Sequence, residues 1–423
     1  MTNKPIKELH EIFLNHPNIV RNSKEVQKGD IFWALKGEKF DANQFADEAL
    51  KNGAHIAVVD KQKINNKKFF HVKDTLKTLQ ELGSFHREHI GMPLIGITGS
   101  NGKTTTKELI NAVLSTKYNT AATYKNLNNH IGVPLSLLDI PEDTDLAIIE
   151  MGSNHFGEIK TLAEIANPDF GLITNIGKAH LEFFKDLEGV KKEKSALFNF
   201  IKNKKGLAFV NYDDAIIQEI SQDIDKYGFS FEKHPDAKIH LKDISNASEL
   251  RILLNKIEIQ TKLSGKYNLS NIGYAISVGK YFSLSDTEIK EALENYTPKD
   301  MRSQIIQKDG NLIILDTYNA NPTSMKAAID SLSNMHADKK IAVLGDMFEL
   351  GASSQKEHQF IIDYLTKKQI DTYLIGENFF KIETRFPKYK NIEEFNKTNI
   401  IKQLKDATIL IKGSRSMVLE NII

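Results

Sequence analysis

The stretch TGSNGKTT, which carries Gly99, Gly102, Lys103 and Thr104, has the composition of a loop that binds phosphate groups. An apolar run precedes it and a segment with helical character follows, so the predicted order is strand, loop, helix. The glycines allow backbone N–H groups to turn toward an anion, and the helix N-terminus adds a positive dipole. Lys103 would then reach the outer phosphates of a nucleotide, and the Thr104 hydroxyl would bind Mg²⁺. The alternative is an ordinary glycine turn followed by a surface lysine.

The glycine spacing of this stretch departs from the strict P-loop pattern. That pattern places a glycine about five residues before Gly102, and the residue there is Ile97. We therefore interpret the stretch as a variant nucleotide loop. The residues assigned to the nucleotide from this stretch are Gly99, Ser100, Asn101, Gly102, Lys103, Thr104 and Thr105.

Three other side chains have positions suited to a metal ion or a reacting group. Glu150 ends the apolar run LAIIE, and Mg²⁺ prefers one or two carboxylates together with phosphates and water. His180 follows the apolar run FGLITNIG, although a lone loop histidine is more often structural. Lys194 lies in the lysine-rich segment VKKEKSALF, where a solvated helix charge is the simpler interpretation. Taken singly, none of the three identifies a site.

Two segments near the C-terminus carry polar residues directly after apolar runs. In NLIILDTYNANPTSM, Asp316 ends the run, and an acidic residue there commonly accepts a hydrogen bond from a ribose hydroxyl. In ILIKGSRSM, Lys412 and Arg415 flank a glycine and a serine and could hold a carboxylate or another anion. Each segment could equally be a turn with surface charges.

Apolar runs alternate with helix-like segments along the chain, which predicts the α/β class. We predict a small N-terminal α/β domain over residues 1–92, a central P-loop ATPase-like domain with a parallel sheet over 93–299, and a C-terminal Rossmann-like α/β domain over 300–423. Ligands of open parallel sheets bind beyond the carboxyl ends of the strands. Because the polar residues above follow apolar runs, we expect one ligand cleft between two α/β domains.

Composition excludes several classes of function. The 423 residues carry 56 lysines and arginines against 55 acidic residues, a net charge of +1, so no global field favours nucleic acid or an anionic membrane. There is no cysteine, which rules out disulfides, thiolate metal sites and thiol nucleophiles. The N-terminus has no long apolar segment of the signal-peptide type. We expect a soluble cytoplasmic protein.

Taken together, the motifs resemble those of the Mur ligases. The segments that carry the resemblance are TGSNGKTTTKE, NLNNHIGVPLSLL, EMGSNHFGEI, TNIGKAHLE, SGKYNLSN, DTYNANPTSM, VLGDMFELG and IKGSRSM. They occur in all three predicted domains. The phosphate loop marks the superfamily only, whereas DTYNANPTSM and IKGSRSM are similar to the members that add D-alanyl-D-alanine.

The resemblance implies an ATP-dependent amide-bond ligase of cytoplasmic peptidoglycan precursor synthesis. The implied substrates are UDP-MurNAc-tripeptide and D-alanyl-D-alanine, joined through an acyl phosphate with two Mg²⁺ ions and an N6-carboxylysine at Lys194. The N-terminal domain would bind the UDP-substrate, the central domain ATP, and the C-terminal domain the dipeptide while closing over ATP. We expect a monomer that binds no nucleic acid and inserts into no membrane.

The resemblance also implies roles for individual residues. Lys103 is similar to the γ-phosphate lysine, and Thr104 and Glu150 to ligands of the first Mg²⁺. His180 with Glu150, and carbamylated Lys194, would serve the second. The other implied ATP contacts are Asn268, Asn271, Arg302 and Asp316. The implied substrate contacts are Ser23, Lys36, Gly37, Asn128, Asn129, Asn319, Asn321, Lys412, Ser414 and Arg415.

Some segments depart from the family pattern. Residues 22–24 read NSK where Asp-Ser-Arg is usual, which weakens the uridine-site assignment. Ser-Ala follows Lys194 where Gly-Glu is usual, so Lys191 and Lys192 remain alternatives to it. The alternative functions are another Mur-superfamily amide ligase, either amino-acid-adding or a folylpolyglutamate synthetase, and a nucleotide-binding module without turnover.

Overall fold

The computed structural model describes residues 4–61, 66–246, 249–299 and 301–423. Residue 300, where the third predicted domain begins, lies outside these ranges. The chain forms two compact units. Unit 1 comprises Met1–Gly96, Asn119–Met151 and Lys160–Asp169, and unit 2 comprises Ile97–Tyr118, Gly152–Ile159 and Phe170–Ile423. The boundaries of the three predicted domains stay a prediction.

The first part of the chain, within unit 1, forms a parallel sheet in the order β1-β2-β5-β6. Its elements are α1 (Lys4–Asn15), β1 (Ile19–Val20), β2 (Ile31–Trp33), β3 (Lys36–Gly37), β4 (Phe40–Asp41), α2 (Ala46–Lys51), β5 (Ile56–Val59), β6 (Phe69–His71) and α3 (Thr75–Ile90). Side chains alternate across the sheet, so Phe32 and Trp33 enter separate apolar clusters. Leu9 of α1 and Leu82 of α3 pack in the cluster with Trp33.

The middle part of the chain carries strands and helices in alternation. Its elements are β7 (Leu94–Thr98), α4 (Lys103–Leu114), β8 (Thr120–Ala122), α5 (Gly132–Leu138), β9 (Leu146–Glu150), α6 (Glu158–Ala166), β10 (Phe170–Ile173), α7 (Leu181–Phe184), α8 (Leu187–Lys204), β11 (Leu207–Asn211), α9 (Ala215–Ile220), β12 (Asp225–Ser230), β13 (Ile239–Asp243), β14 (Arg251–Leu254), β15 (Ile257–Gln260), α10 (Asn268–Tyr281) and α11 (Asp286–Asn295).

The strands of this middle part pair mainly in parallel. In unit 1, β8 pairs with β9 in parallel. In unit 2, β10, β11, β12 and β13 follow one another in parallel, and β14 and β15 are added antiparallel. The boundary between the units falls within β7, after Gly96. In unit 2 the last residue of β7, Thr98, accepts a 2.9 Å hydrogen bond from the Thr174 amide, which aligns the end of β7 with the end of β10.

The last part of the chain, within unit 2, forms a sheet in the order β16-β17-β21-β18-β19-β20. Its elements are β16 (Gln304–Lys308), β17 (Asn311–Asp316), α12 (Pro322–Asn334), β18 (Lys340–Gly345), α13 (Ser354–Lys368), β19 (Asp371–Ile375), α14 (Glu377–Phe380), β20 (Lys388–Tyr389), α15 (Ile392–Lys397), α16 (Ile400–Gln403) and β21 (Thr408–Lys412). β16 pairs antiparallel with β17, and the other neighbours are parallel. Leu410 packs in one apolar cluster and Ile409 in another, so both faces of this sheet are covered.

The predicted α/β class and the predicted strands agree with this architecture. The prediction does not include strands β13 to β16, because their polar residues interrupt the apolar pattern. A 3₁₀ turn, Ala42–Phe45, directly precedes α2. In the described residues, no helix combines the length and the apolar character that crossing a membrane requires.

Candidate active site

The phosphate-type loop of unit 2 connects β7 to α4, and its glycines are required by both conformation and space. Gly99 has φ 144° and Gly102 has φ 79°, a region that favours glycine. A Cβ on Gly99 would lie 2.0 Å from Thr174 Oγ1, and one on Gly102 would lie 2.5 Å from Asn271 Oδ1. The close approach of these neighbours therefore explains why the variant loop keeps glycine at these two positions.

The segment after β10 holds the loop from one side. The Ser100 amide donates to the Asn175 carbonyl at 3.0 Å, and the Ser100 hydroxyl lies 2.9 Å from the Gly177 amide, which donates to it. The Asn101 carbonyl accepts from Thr174 Oγ1 at 2.6 Å and from Asn175 Nδ2 at 2.9 Å. Ser100 and Asn101 thus fix the loop in shape, in addition to any contact with a nucleotide.

Lys103 and the threonines that follow it occupy the first turn of α4. The Lys103 ammonium donates to the Gly99 carbonyl at 2.8 Å and contacts the Ser100 carbonyl at 3.4 Å, which holds the charge at the loop. Thr104 is buried and Thr105 is half-buried. Because the first N–H groups of a helix have no partner within the helix, this turn presents donors as well as a cation to an anion.

Two asparagines predicted to lie near the adenine support the loop from α10. Asn271 Oδ1 accepts from Thr106 Oγ1 at 3.0 Å, and Asn271 Nδ2 donates to Asn268 Oδ1 at 2.7 Å. Asn268 Nδ2 donates to the Ser264 carbonyl at 2.7 Å. Both asparagines are buried. They connect α10 to α4 directly behind Gly102, and their contact with adenine stays a prediction.

Lys194, on α8, is buried with only 1% of its surface exposed. Its Nζ donates to Ser153 Oγ at 2.7 Å and lies 5.7 Å from the centre of the Phe184 ring. Burial, together with the positive charge of Lys103, lowers the pKa of Lys194 to about 7. A substantial fraction of this amine is therefore neutral near pH 7. Lys103 is close enough for its charge to disfavour the charged form of Lys194.

The other lysines considered for this position have different surroundings. Lys191 Nζ pairs with Glu219 at 2.6 Å and with Glu188 at 3.6 Å, and these contacts raise its pKa. Lys192 is exposed. Helical periodicity turns Lys194 toward the interior and Lys192 toward solvent, and the assignment of the modified lysine to Lys194 stays a prediction.

His180 begins α7 in a left-handed conformation, with φ 51°. Its Nδ1 lies 2.7 Å from Glu349 Oε2, and this contact holds the pKa of Glu349 below its ordinary value. The Glu182 amide also donates to the Glu349 carbonyl at 3.1 Å. Glu349 received no role in the sequence analysis, although it lies in the quoted motif VLGDMFELG.

Asp316 and Lys412, predicted to contact ribose and substrate, pair with each other across adjacent strands. They lie opposite one another in the register of β17 and β21, and Lys412 Nζ donates to Asp316 Oδ2 at 2.6 Å. Lys412 is buried and also donates to the Asn319 carbonyl at 3.0 Å. Asp316 Oδ1 accepts from the Ser303 amide at 3.2 Å. The Asp316 carboxylate is thus held in place at the end of its strand.

Arg302 stacks on an aromatic ring near this pair. Its guanidinium carbon lies 3.5 Å from the centre of the Tyr318 ring, a cation–π arrangement. Tyr267, which is buried, exchanges a 2.6 Å hydrogen bond with Ser303 Oγ, and burial with the charge of Asp316 raises the pKa of its hydroxyl. Arg302 and Asp316 therefore lie in one cluster with Tyr318, Tyr267 and Ser303. The sequence motifs gave these three residues no role.

The remaining predicted residues of the C-terminal part have separate partners. Asn321 caps α12, and its Nδ2 donates to Asn101 Oδ1 at 2.7 Å, which ties the DTYNANP segment to the phosphate-type loop. Ser414 Oγ accepts from the Phe348 amide at 2.9 Å. Arg415 pairs with Glu420 and is half exposed. Of these, Asn321 is the residue that the structure brings to the loop.

In unit 1, Glu150 and Asn128 are brought together. Asn128 Nδ2 donates to Glu150 Oε1 at 2.8 Å, and Glu150 is buried with 2% of its surface exposed. Asn129 instead accepts from the Gly132 amide at 2.8 Å and so orders the turn before α5. Thr123 Oγ1 accepts from the Glu150 amide at 2.9 Å. The carboxylate is held at the end of β9, as the sequence predicted.

The predicted uridine-site residues of unit 1 do not form one cluster of contacts. Ser23 is buried and donates to Glu48 Oε2 at 2.8 Å. Lys36 pairs with Asp60 at 2.7 Å, which raises the pKa of the lysine, and Gly37 is exposed in the hairpin of β3 and β4. Their contact with a uridine group stays a prediction.

A preformed metal cluster is not evident. Across 4–61, 66–246, 249–299 and 301–423, no group of three or more His, Asp or Glu side chains is arranged to hold a metal ion. Two side chains of these types, Glu150 and His180, are predicted Mg²⁺ ligands, which is one fewer than such a group needs. A metal at either residue would take further ligands from phosphate oxygens and water.

The sequence is similar to known proteins over nearly its whole length. The model of the Mur ligase middle domain matches residues 97–279, and that of the Mur ligase, glutamate ligase domain, matches 301–415. The UDP-N-acetylmuramoyl-tripeptide–D-alanyl-D-alanine ligase of Bacillus subtilis (strain 168) is 34% identical, covering 96% of this chain and 92% of the relative. The enzyme of that name from Escherichia coli (strain K12) is 33% identical with the same coverage. The chain belongs to the Mur ligase family, in the branch of UDP-N-acetylmuramoyl-tripeptide–D-alanyl-D-alanine ligases.

Solved structures agree with this membership. A crystal structure of MurF from Acinetobacter baumannii has a TM-score of 0.86 at 31% identity and covers 96% of this chain and 92% of that one. MurF from Thermotoga maritima in complex with ADP has a TM-score of 0.86 at 28% identity and covers 97% and 96%. The predicted Mur ligase fold is confirmed. As a member of this family, the protein is an ATP-dependent enzyme.

Proposed function

We propose that this Mur ligase joins D-alanyl-D-alanine to UDP-MurNAc-tripeptide at the expense of ATP, as a cytoplasmic monomer in peptidoglycan precursor synthesis. The observation that carries the proposal is the pairing of a phosphate-type loop with a buried lysine. The Lys103 ammonium donates a hydrogen bond to the loop, and its positive charge helps to lower the pKa of the Lys194 amine. The match with D-alanyl-D-alanine ligases over 92% of their length favours this reaction over other amide ligations.

The proposed chemistry follows from the poor reactivity of a carboxylate. Direct attack by an amine would have to expel oxide, so the terminal carboxylate of the tripeptide first attacks the γ-phosphorus of ATP and releases ADP. The amine of the dipeptide then attacks the acyl phosphate, and the tetrahedral intermediate expels phosphate. Negative charge develops in both steps, and oriented N–H groups and cations stabilise it.

The chain supplies such groups in the loop of unit 2. Lys103 and the amides at the start of α4 would hold the outer phosphates, and Lys103 would stabilise charge as the γ-phosphate is transferred. Asp316 would accept from the ribose, and its second oxygen keeps the bond to Lys412. Arg302, stacked on Tyr318, presents a fixed cation for the nucleotide.

The metal roles of Thr104, Glu150 and His180 stay proposals from the resemblance. A hydroxyl, a carboxylate and an imidazole are donors that suit Mg²⁺ when phosphate and water complete its coordination. Bound Mg²⁺ would neutralise phosphate charge. Lys194 fits the proposed carbamylation because carbamylation requires a neutral amine, and burial beside Lys103 favours that form.

The substrate roles divide the remaining residues into three groups. We propose that Ser23, Lys36 and Gly37 of unit 1 contact the uridine diphosphate, and that Asn128 and Asn129 contact the peptide side. The residues proposed for the dipeptide side are Asn319, Asn321, Lys412, Ser414 and Arg415. Of these, Arg415 is the most exposed cation and the best suited to a carboxylate, because Lys412 is buried against Asp316.

The deciding experiment follows phosphate release from ATP in the presence of Mg²⁺ and UDP-MurNAc-tripeptide. We expect release only when D-alanyl-D-alanine is added, together with a pentapeptide product in the mass spectrum. Parallel reactions replace the dipeptide by D-alanine, by meso-diaminopimelate or by L-glutamate. Release that ignores the dipeptide, or that requires a single amino acid, contradicts the assignment and favours another amide ligase; ATP binding without release favours a non-catalytic module.

A further inference from the structure

The Lys194 amine has a hydrogen-bond partner to which neither the sequence analysis nor the proposed reaction assigns a role. Its Nζ donates to the Ser153 hydroxyl at 2.7 Å and lies 3.5 Å from the Ser153 carbonyl. Ser153 is buried, with 6% of its surface exposed, and Lys194 with 1%. A short hydrogen bond between two buried side chains 41 residues apart fixes the direction of the amine.

Among the groups described next to the Lys194 amine, the Ser153 hydroxyl is the one that can change its hydrogen-bonding role. The neighbouring Glu193 is occupied, because its carboxylate accepts from the Gly157 amide at 2.7 Å and from the Ile159 amide at 2.8 Å. Phe184 presents only its ring to the amine. The nearby charges are those of Lys103, Glu193 and Glu158.

A hydroxyl can accept and donate at the same time. Ser153 Oγ uses an acceptor site for Lys194, and its own hydrogen has no acceptor among the residues that the structure describes. It can therefore accept from a lysine N–H and, after rotation about its C–O bond, donate to an anion formed at the same nitrogen. Alanine could do neither.

We propose that Ser153 is a positioning residue that orients the Lys194 amine for carbamylation and then donates its hydroxyl hydrogen to the carbamate. This inference rests on the carbamylation included in the proposed function. In the step, the lone pair of neutral Nζ attacks the carbon of CO₂ and forms the N–C bond, while one C–O π pair moves to oxygen. The nitrogen releases one proton to water, and the product is a carbamate with one negative charge.

The test measures carbamate formation directly in the full-length protein. Wild type, Ser153→Ala, Ser153→Thr and Ser195→Ala are titrated with ¹³C-bicarbonate, and the carbamate carbon is followed by NMR, with Lys194→Ala as the blank. Ser195 is a matched control, because its hydroxyl donates to the Lys191 carbonyl within the same helix at 2.6 Å. Thermal melting checks that each variant is folded.

We expect the half-saturating bicarbonate concentration to rise about tenfold in Ser153→Ala, since one hydrogen bond to a charged group is lost. It should stay near the wild-type value in Ser153→Thr and in Ser195→Ala. Turnover of Ser153→Ala should recover when bicarbonate is raised, which a merely structural defect would not do.

Two results would overturn the inference. One is a bicarbonate requirement of Ser153→Ala equal to that of wild type, and the other is a wild-type protein without a carbamate signal. Neither result touches the ligase assignment, because phosphate release that depends on D-alanyl-D-alanine tests that assignment separately. Conversely, a carbamate signal that depends on Ser153 can persist in a protein whose amine substrate has been misassigned.

Discussion

At the scale of single residues, burial gives a common side chain unusual chemistry. Lys194 and Lys192 are neighbours in one helix, yet only Lys194 is buried and close to Lys103. Desolvation disfavours the charged ammonium, and the like charge of Lys103 adds to the effect. The two lysines therefore differ in environment because of their positions on the helix, although they are the same residue type.

This contrast predicts the outcome of alanine substitutions in the lysine run. Lys194→Ala should lower kcat for D-alanyl-D-alanine ligation by a factor of about 100 or more, the order of effect of removing one group that stabilises developing charge. Lys192→Ala should leave kcat within about twofold of wild type, since an exposed lysine makes little contribution. The measurement is steady-state phosphate release at saturating substrates. Wild-type turnover in Lys194→Ala would remove this residue from the mechanism.

At the scale of elements, the loop between β7 and α4 depends on glycine for two separate reasons. Gly102 needs a positive φ, and it also needs space beside Asn271 Oδ1. Gly91 has nearly the same backbone conformation, with φ 74°, but a Cβ there would meet nothing closer than 3.9 Å. Substitutions at Gly91 and Gly102 therefore separate the energetic cost of a positive φ from the cost of a steric clash.

Gly91→Ala should lower the free energy of unfolding by about 1 kcal/mol, the usual cost of a non-glycine residue in this conformation, and should not change the KM for ATP. Gly102→Ala should cost more than Gly91→Ala and should raise the KM for ATP at least about tenfold, since the clash displaces the loop or Asn271. Urea unfolding and ATP titration measure the two effects. Equal KM values in the two variants would count against the role of this loop.

The pair formed by Asp316 and Lys412 joins β17 to β21 and belongs to the same scale. Removing one member of a buried ion pair leaves the other charge without compensation. Asp316→Ala and Lys412→Met should each lower the free energy of unfolding by about 2 to 4 kcal/mol, and the double variant by clearly less than the sum. Urea unfolding of the four proteins gives the coupling energy. Additive losses of stability would show that the two side chains act independently. A KM for ATP that is unchanged in Asp316→Ala would argue against ribose binding by Asp316.

At the scale of the whole molecule, a buried histidine pair makes stability depend on pH. His86 Nε2 lies 3.1 Å from the Ile140 carbonyl, so Nε2 carries hydrogen and His86 Nδ1 accepts from His10 Nε2 at 3.0 Å. Burial lowers the pKa of His86, which favours the neutral form of its ring. Burial, followed by repulsion from the His86 and His89 rings when these are protonated, lowers the pKa of His10 to about 4. His89 in turn lies 3.7 Å from Glu142.

The unfolded chain takes up a proton on His10 near its ordinary pKa of 6.5, whereas the folded chain does so only near 4. This contribution to stability is complete above about pH 6.5 and is lost as pH falls toward 4. His10→Gln keeps an amide donor for His86 and should flatten part of this slope. The exposed His130→Gln serves as control. Urea midpoints at pH 4.5, 5.5 and 7 that fall equally in His10→Gln and wild type would contradict the prediction.

The sequence by itself determined the local structure at the loop and the family. Glycine at positions 99 and 102, an apolar run before them and a helix after them are properties of neighbouring residues, so a strand–loop–helix unit could be inferred without a fold. The alternation of apolar runs with helix-like segments predicts the α/β class, and the sequence motifs resemble those of the Mur ligases; the comparisons confirm both.

Only the tertiary structure decided which side chains meet. Lys194 meets Ser153, His180 meets Glu349, and Asp316 meets Lys412, pairs whose members lie far apart in the sequence. No local pattern encodes these contacts, because they depend on how helices turn on the sheets and on which strands are neighbours. Burial follows from the same packing, and burial rather than residue type is what lowers the pKa of Lys194.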